Sequence, residues 1–231
     1  VNVYPPPGVI GPQLLARAVL PALASVRVHG AQHIPRTGPV LIAARHYHHL
    51  LDGAVLLARA PRPVHIVVAL DWTRGVAQRR VMERLCALAQ WPVILRPAAR
   101  AGARAYAPTE FLRYVRGGVR DAVSLLRAGR VVVVFPEGYP VIDPAGEADG
   151  RPPSDPAGVR PFAGGFRSIA LRAQREGAHV PIVPLGFAYA RAGKRWEITA
   201  RFGAPLSAEH EVADIQRIVL ALSRADVVSS R

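Results

Sequence analysis

The chain reads as an α/β protein: a central, largely parallel mixed sheet flanked by helices, with an apolar helix at the N-terminus. Three observations lead there. Short apolar runs rich in valine, residues 131–135 above all, alternate with longer stretches of helical periodicity. Each run stops at polar or turn-forming residues, as strands do in a sheet covered on both faces. Finally, 231 residues, half of them apolar, suffice for one sizeable core.

In chain order, residues 3–11 carry Pro5-Pro6-Pro7-Gly8 and predict an extended lead-in. Residues 12–25 predict a helix with Leu14, Leu15, Val19, Leu20 and Leu23 on its apolar face. The apolar stretch 8–26 is interrupted by Arg17 and Pro21 and is marginal for the ~20 residues a membrane span needs. It reads as a helix lying on a membrane surface or packing on the core. Residues 26–30 alternate as a short strand, and 31–38 form a turn-rich connector with Pro35 and Gly38. Residues 39–44 form the first central strand and 52–60 the helix after it. Residues 64–70 read as one buried strand ended by Asp71-Trp72-Thr73. A helix with a basic face at Arg79, Arg80 and Arg84 spans 76–89. A short strand covers 93–95, with Arg96 at its end, and 97–106 read as a surface loop. The helix 111–128 has a candidate break at Gly117-Gly118, and Gly129 stops it. The strand 131–135 holds four valines and a phenylalanine. Residues 139–161 form a long insert rich in proline, glycine and aspartate. A helix at 166–175, a strand at 180–187 interrupted by Pro181 and Pro184, an alternating strand at 196–202 and an amphipathic helix at 208–224 complete the chain.

The formal net charge is +14, nearly all of it arginine, since Lys194 is the only lysine. Guanidinium groups are the stronger phosphate forks, so anionic partners are expected. A nucleic-acid binder would gather its arginines into a stripe with interleaved aromatics. Here the arginines are dispersed and aromatics few, so no nucleic acid is expected. One cysteine, Cys86, excludes an internal disulfide and a cysteine-based zinc site, and its apolar surroundings predict a core thiol.

The chemistry gathers where the first central strand ends. Residues 40–44 are apolar; Arg45 follows, then His46, His48 and His49, then Asp52-Gly53 and an apolar helix start. A neutral imidazole can take a hydroxyl proton near neutral pH, and a carboxylate can fix its tautomer. On a helix, His48 and His49 would share a face with Asp52. His46, six residues away, meets it only if the loop folds back. The three histidines lack a convincing fourth metal ligand, so no metal site is expected. Two further candidates also lie at strand ends: Arg96, and Phe135-Pro136-Glu137-Gly138, where proline ends the ladder and glycine allows close backbone approach.

In this order, His46…Asp52, Arg96, Phe135-Pro136-Glu137-Gly138 and Val180-Pro181-Ile182-Val183-Pro184 resemble the glycerolipid acyltransferase family of the lysophosphatidic acid acyltransferase type, over residues 26–202. Phe162-Ala163-Gly164-Gly165 is similar to that family's Phe-Lys-x-Gly segment, and residues 125–129 to its helix leading into the Glu-Gly strand. The resemblance implies transfer of a fatty acyl group from acyl-CoA or acyl-carrier protein to a glycerol-type hydroxyl, with neither metal nor cofactor beyond that co-substrate. It implies His46 as general base oriented by Asp52, with His48 the alternative. Glu137 would hold the acceptor's hydroxyl, and the Gly138 backbone and Arg96 would face its headgroup or phosphate. Residues 1–30 become a lead-in and membrane-surface helix, and 31–231 an acyltransferase-like domain on the anionic inner face of the cell membrane. Two departures stand out. The family's spacing puts Tyr47 opposite Asp52, so that matching Ala44-Arg45-His46 to Ala-Asn-His leaves one inserted residue. The family's Thr-Arg after Glu-Gly is here Tyr139-Pro140, which removes part of the usual phosphate contacts. A catalytically weakened lipid-binding relative is the alternative these departures suggest; an arginine-rich nucleic-acid binder is the remote one.

Overall fold

The computed structural model describes residues 7–96, 105–142 and 160–224, so most of the loop expected at 97–106 and most of the insert expected at 139–161 lie outside the described residues. The chain begins with α1 (Pro7–Leu23), β1 (Ala24–His29), a single 3₁₀ turn (Ala31–His33), β2 (Val40–Ala44) and α2 (Leu51–Arg59). Then come β3 (Val64–Ile66), β4 (Val68–Ala69), α3 (Val76–Leu88), β5 (Val93–Ile94) and α4 (Glu110–Arg127). β6 (Val131–Val134), α5 (Gly165–Arg175), β7 (Ile182–Ala192), β8 (Arg195–Phe202) and α6 (Val212–Arg224) follow. Six strands form one sheet in the order β1-β8-β7-β2-β6-β3, and β4 and β5 form a second, two-stranded one. Among the described strands every pairing is parallel except the β7–β8 hairpin. The mixed, largely parallel sheet is thus the one the apolar runs predict.

The core follows from the period of two along the strands. Val40, Ile42 and Ala44 of β2, with Val131 and Val133 of β6, face α1 and α2. Leu41, Ala43 and Val132 face α4, α5 and α6 on the other side, through Leu126, Phe166 and Ile215 among others. A smaller cluster around Leu70, Cys86 and Leu95 fills the space beside the two-stranded sheet, and Cys86 is buried as expected. Burial pushes its thiol up to about 11, so it stays protonated and inert.

Four elements differ from the sequence reading. Residues 7–11 are helical rather than extended. Pro7 takes the first helical position, where its missing N–H costs nothing. Gly8 lies against α3, where a Cβ would overlap the Leu88 carbonyl, so tertiary packing decides the local state. The run 64–70 is not one strand. Val67 N–H still bonds Val133 beside β6, but Val68 N–H turns to Pro92 beside β5. Gly117-Gly118 does not break α4, because Gly118 is where the helix crosses β5: its Cβ would stand 2.5 Å from the Val93 carbonyl oxygen. Lastly, β7 runs past Phe187 to Ala192, because its hairpin with β8 satisfies the backbone that far.

His65, in the middle of β3, is buried and shares a hydrogen with the Gln90 carbonyl at 3.1 Å. Burial lowers its pKa below the ordinary 6.5. The folded value is thus the depressed one. The contribution to stability is complete above about pH 6.5 and is lost as pH falls toward the folded value, because the unfolded chain binds the proton first. Acidification from pH 7.5 to 5.5 is therefore expected to cost the wild type more stability than His65→Asn. Urea titrations at both pH values measure this; parallel losses would remove His65 as the cause.

Candidate active site

The site forms where β2 and β6 end side by side. Their parallel register pairs Ala43 with Val134. Carried three residues on, it sets His46 beside Glu137, and the His46 backbone N–H donates to Glu137 Oε1 at 2.9 Å. Gly138, at φ +72°, closes the turn after β6 with its N–H on the Phe135 carbonyl. The returning chain is tied to the same turn, since Ala163 N–H donates to the Pro136 carbonyl at 2.9 Å.

Asp52 organises the loop after β2. It sits in the first turn of α2 with no exposed surface. Its Oδ2 accepts the backbone N–H groups of Tyr47 at 2.7 Å and His48 at 2.9 Å. The loop therefore curls around the carboxylate, and the curl carries His46 back over the helix start. The His46 Nδ1 reaches the same Oδ2 at 3.0 Å, and its ring stacks on Phe135 with centroids 4.3 Å apart. Tyr189 of β7 donates its hydroxyl to Asp52 Oδ1. A carboxylate at Nδ1 fixes the proton there, so Nε2 keeps the lone pair. The His46 side chain is 15% exposed.

The other histidines do different work. His48 turns its Nδ1 toward the start of α2 and accepts the N–H groups of Leu50 at 3.3 Å and Leu51 at 3.4 Å. This satisfies donors that every helix start leaves open. Burial lowers its pKa, as does the neighbouring His49 on which it stacks. Of the three histidines, His46 is the one whose ring meets Asp52.

Glu137 and Arg96 are both engaged by other parts of the chain. Glu137 is 3% exposed and turns inward, with Oε1 on His46 N–H and Oε2 on Arg160 N–H at 3.4 Å. Burial raises its pKa, partly offset by those two donors. It thereby holds the loop that carries His46. Arg96 is gripped by Asp71, its Nε lying 2.9 Å from Oδ2 while Nη2 bonds the same oxygen. Its Nη1 donates to the Gly138 carbonyl and its plane lies 3.8 Å over the Tyr139 ring. The guanidinium is thereby neutralised and braces the turn.

Two residues at the site were not among the sequence candidates. Asp71 had a signal in ending the apolar run at 64–70, as Arg96 ends the run at 93–95; the structure pairs Ala69 with Ile94, and the same offset puts Asp71 beside Arg96. Tyr189 had none, since it lies beyond the expected end of its strand.

Comparison with known proteins adds the family. The model of the family described as Acyltransferase matches residues 25–188. Among solved structures, the 1-acyl-sn-glycerophosphate (LPA) acyltransferase PlsC from Thermotoga maritima is similar in fold, with a TM-score of 0.58 at 14% identity over 96% of this chain and 81% of that one. No curated protein matches by sequence.

Proposed function

This chain belongs to the acyltransferase family, whose match spans His46, Asp52 and Glu137, and we propose that it moves a fatty acyl group from acyl-CoA or acyl-carrier protein to a hydroxyl of a glycerolipid-type acceptor such as lysophosphatidate. The observation that carries this reading is the His46–Asp52 pair, with Nδ1 on the carboxylate and Nε2 left to act. The acceptor hydroxyl gives its proton to His46 Nε2 as its oxygen attacks the thioester carbonyl carbon. Asp52 steadies the imidazolium. The tetrahedral oxyanion then collapses, the C–S bond breaks, and the leaving sulfur takes the proton from His46. An ester and a free thiol result, with no acyl-enzyme between them.

The Asp71–Arg96 pair favours a second reading of the acceptor, one whose headgroup carries no phosphate monoester at this edge. Thioester consumption with lysophosphatidate, lysophospholipids and glycolipids tests both readings. On the second, the wild type prefers the neutral acceptors, and Asp71→Asn, which releases the Arg96 charge, shifts the preference toward lysophosphatidate. An unmoved preference discards it. Vesicle binding without thioester consumption by any acceptor would instead favour a lipid-binding relative that has lost the chemistry.

The same reading puts the protein on the inner face of the cell membrane, lying on it. Among the described residues no helix is long and apolar enough to cross a membrane. α1 exposes Leu14, Leu15, Val19 and Leu23, and Leu15 is 66% exposed. Its C-terminal end is tied to the β7–β8 hairpin by Arg195 on the Pro21 carbonyl, beside Arg191 and Lys194. Leucines flanked by cations suit an anionic bilayer. Pelleting with vesicles is expected to favour anionic over neutral lipid, to weaken with salt, and to fail for the Leu14→Asp, Leu15→Asp double variant. Equal binding to both kinds of vesicle at low salt would count against this surface.

A further inference from the structure

Asp52 has two oxygens and the acyl-transfer scheme uses one. Oδ2 is shared by His46 Nδ1 and two backbone N–H groups, and Oδ1 belongs to Tyr189. The Tyr189 ring is clamped. It stacks on Tyr47 with centroids 4.5 Å apart and meets Trp196 edge-on at 5.6 Å. Its hydroxyl oxygen is therefore fixed against Asp52, and burial, then the Asp52 charge, keeps it protonated as a donor. We propose that Tyr189 is a positioning residue: its hydroxyl holds the Asp52 carboxylate so that Oδ2 faces His46, and it sets the pH at which His46 becomes able to accept a proton.

The sign follows from the charge on Asp52. A donor on Oδ1 draws negative charge toward itself and away from the imidazolium at Oδ2. Without it, the carboxylate binds the imidazolium more tightly, and it also holds a proton of its own more readily, being buried with an oxygen unpaired. Both effects keep the His46–Asp52 pair protonated to higher pH. The other ionisable groups facing the pair are Arg45 and Glu137 from the ends of β2 and β6, Tyr47, His48 and His49 from the loop, and Arg191 from β7. Tyr189→Phe changes none of them, and it keeps the ring that stacks on Tyr47.

The kinetic arm of the test rests on the acyl-transfer reading; the other arm does not. In Tyr189→Phe, the acidic limb of the kcat profile is expected to move up by about one pH unit. Turnover then falls about tenfold on the limb, recovers at high pH, and KM stays put. The His46 imidazole resonances, titrated in the whole protein by NMR, are expected to move by the same amount. A His46 midpoint equal to the wild type's overturns the proposal, and so does a uniform fall in kcat with an unmoved midpoint, which would mark a packing role alone. If the wild type turns over no thioester, the acyl-transfer reading fails, and the His46 midpoint still decides the role of Tyr189.

Discussion

On the proposed acyl-transfer reading, His46→Ala is expected to lower thioester turnover by about 10²–10⁴-fold, the range a positioned general base supplies, while the protein stays folded. The backbone separates the two outcomes. Glu137 holds the His46 N–H rather than its ring, and Asp52 holds the N–H groups of Tyr47 and His48. All three bonds survive truncation to alanine. What is lost is the ring on Phe135 and the nitrogen that takes the proton. His48→Ala should do the opposite. Its Nδ1 satisfies two N–H groups at the start of α2, so its loss costs about 1 kcal/mol of stability, as a lost helix cap does, and leaves turnover nearly intact. Calorimetry and a thioester assay on the two variants measure both effects. Wild-type turnover in His46→Ala, or its loss in a stable His48→Ala, would move the base elsewhere.

Which histidine meets Asp52 shows where sequence reading stops. Helical spacing favoured His48 and His49 as partners of Asp52 because it assumes the helix has already begun. The helix begins only at Leu51, and the residues before it are shaped by the carboxylate itself, which gathers two backbone N–H groups and swings His46 into place. The valine strand, the central strand at 40–44 and the helices between them were legible because their side chains answer to burial alone. The strand ends were legible as places but not as contacts. Once the parallel register is known, two pairs follow by simple offset, His46 beside Glu137 and Asp71 beside Arg96. Register belongs to the pairing of distant segments, so the internal bonds of Glu137 to the His46 N–H and of Arg96 to Asp71 were not legible in the sequence. Tyr189, 137 residues from Asp52, depends on how far the β7–β8 hairpin extends.

Asp52 is the residue on which fold and chemistry meet, and two substitutions should pull them apart. Asp52→Ala leaves without their acceptor the N–H groups of Tyr47 and His48 and the Tyr189 hydroxyl, besides the His46 ring. At about 1–3 kcal/mol for each unsatisfied group, the loss is at least about 3 kcal/mol. In a protein of this size that lowers Tm by roughly 6–12 °C or more, and it takes a large share of the ~5–15 kcal/mol that holds a typical domain folded. Asp52→Asn behaves differently. Its single amide oxygen must face the two backbone N–H groups, because an NH₂ there would oppose two donors. That orientation keeps the oxygen on His46 Nδ1, so the tautomer is preserved, and the NH₂ points at Tyr189, whose hydroxyl can turn and accept. The loop survives and only the charge is gone. A hydrogen bond to a charged group is worth about 1.5–3 kcal/mol, so kcat is expected to fall about 10- to 150-fold with little change in Tm. An asparagine variant as unstable as the alanine one would show that the carboxylate charge, rather than its geometry, holds the loop. An asparagine variant with wild-type kcat would show that the imidazolium needs no counter-charge.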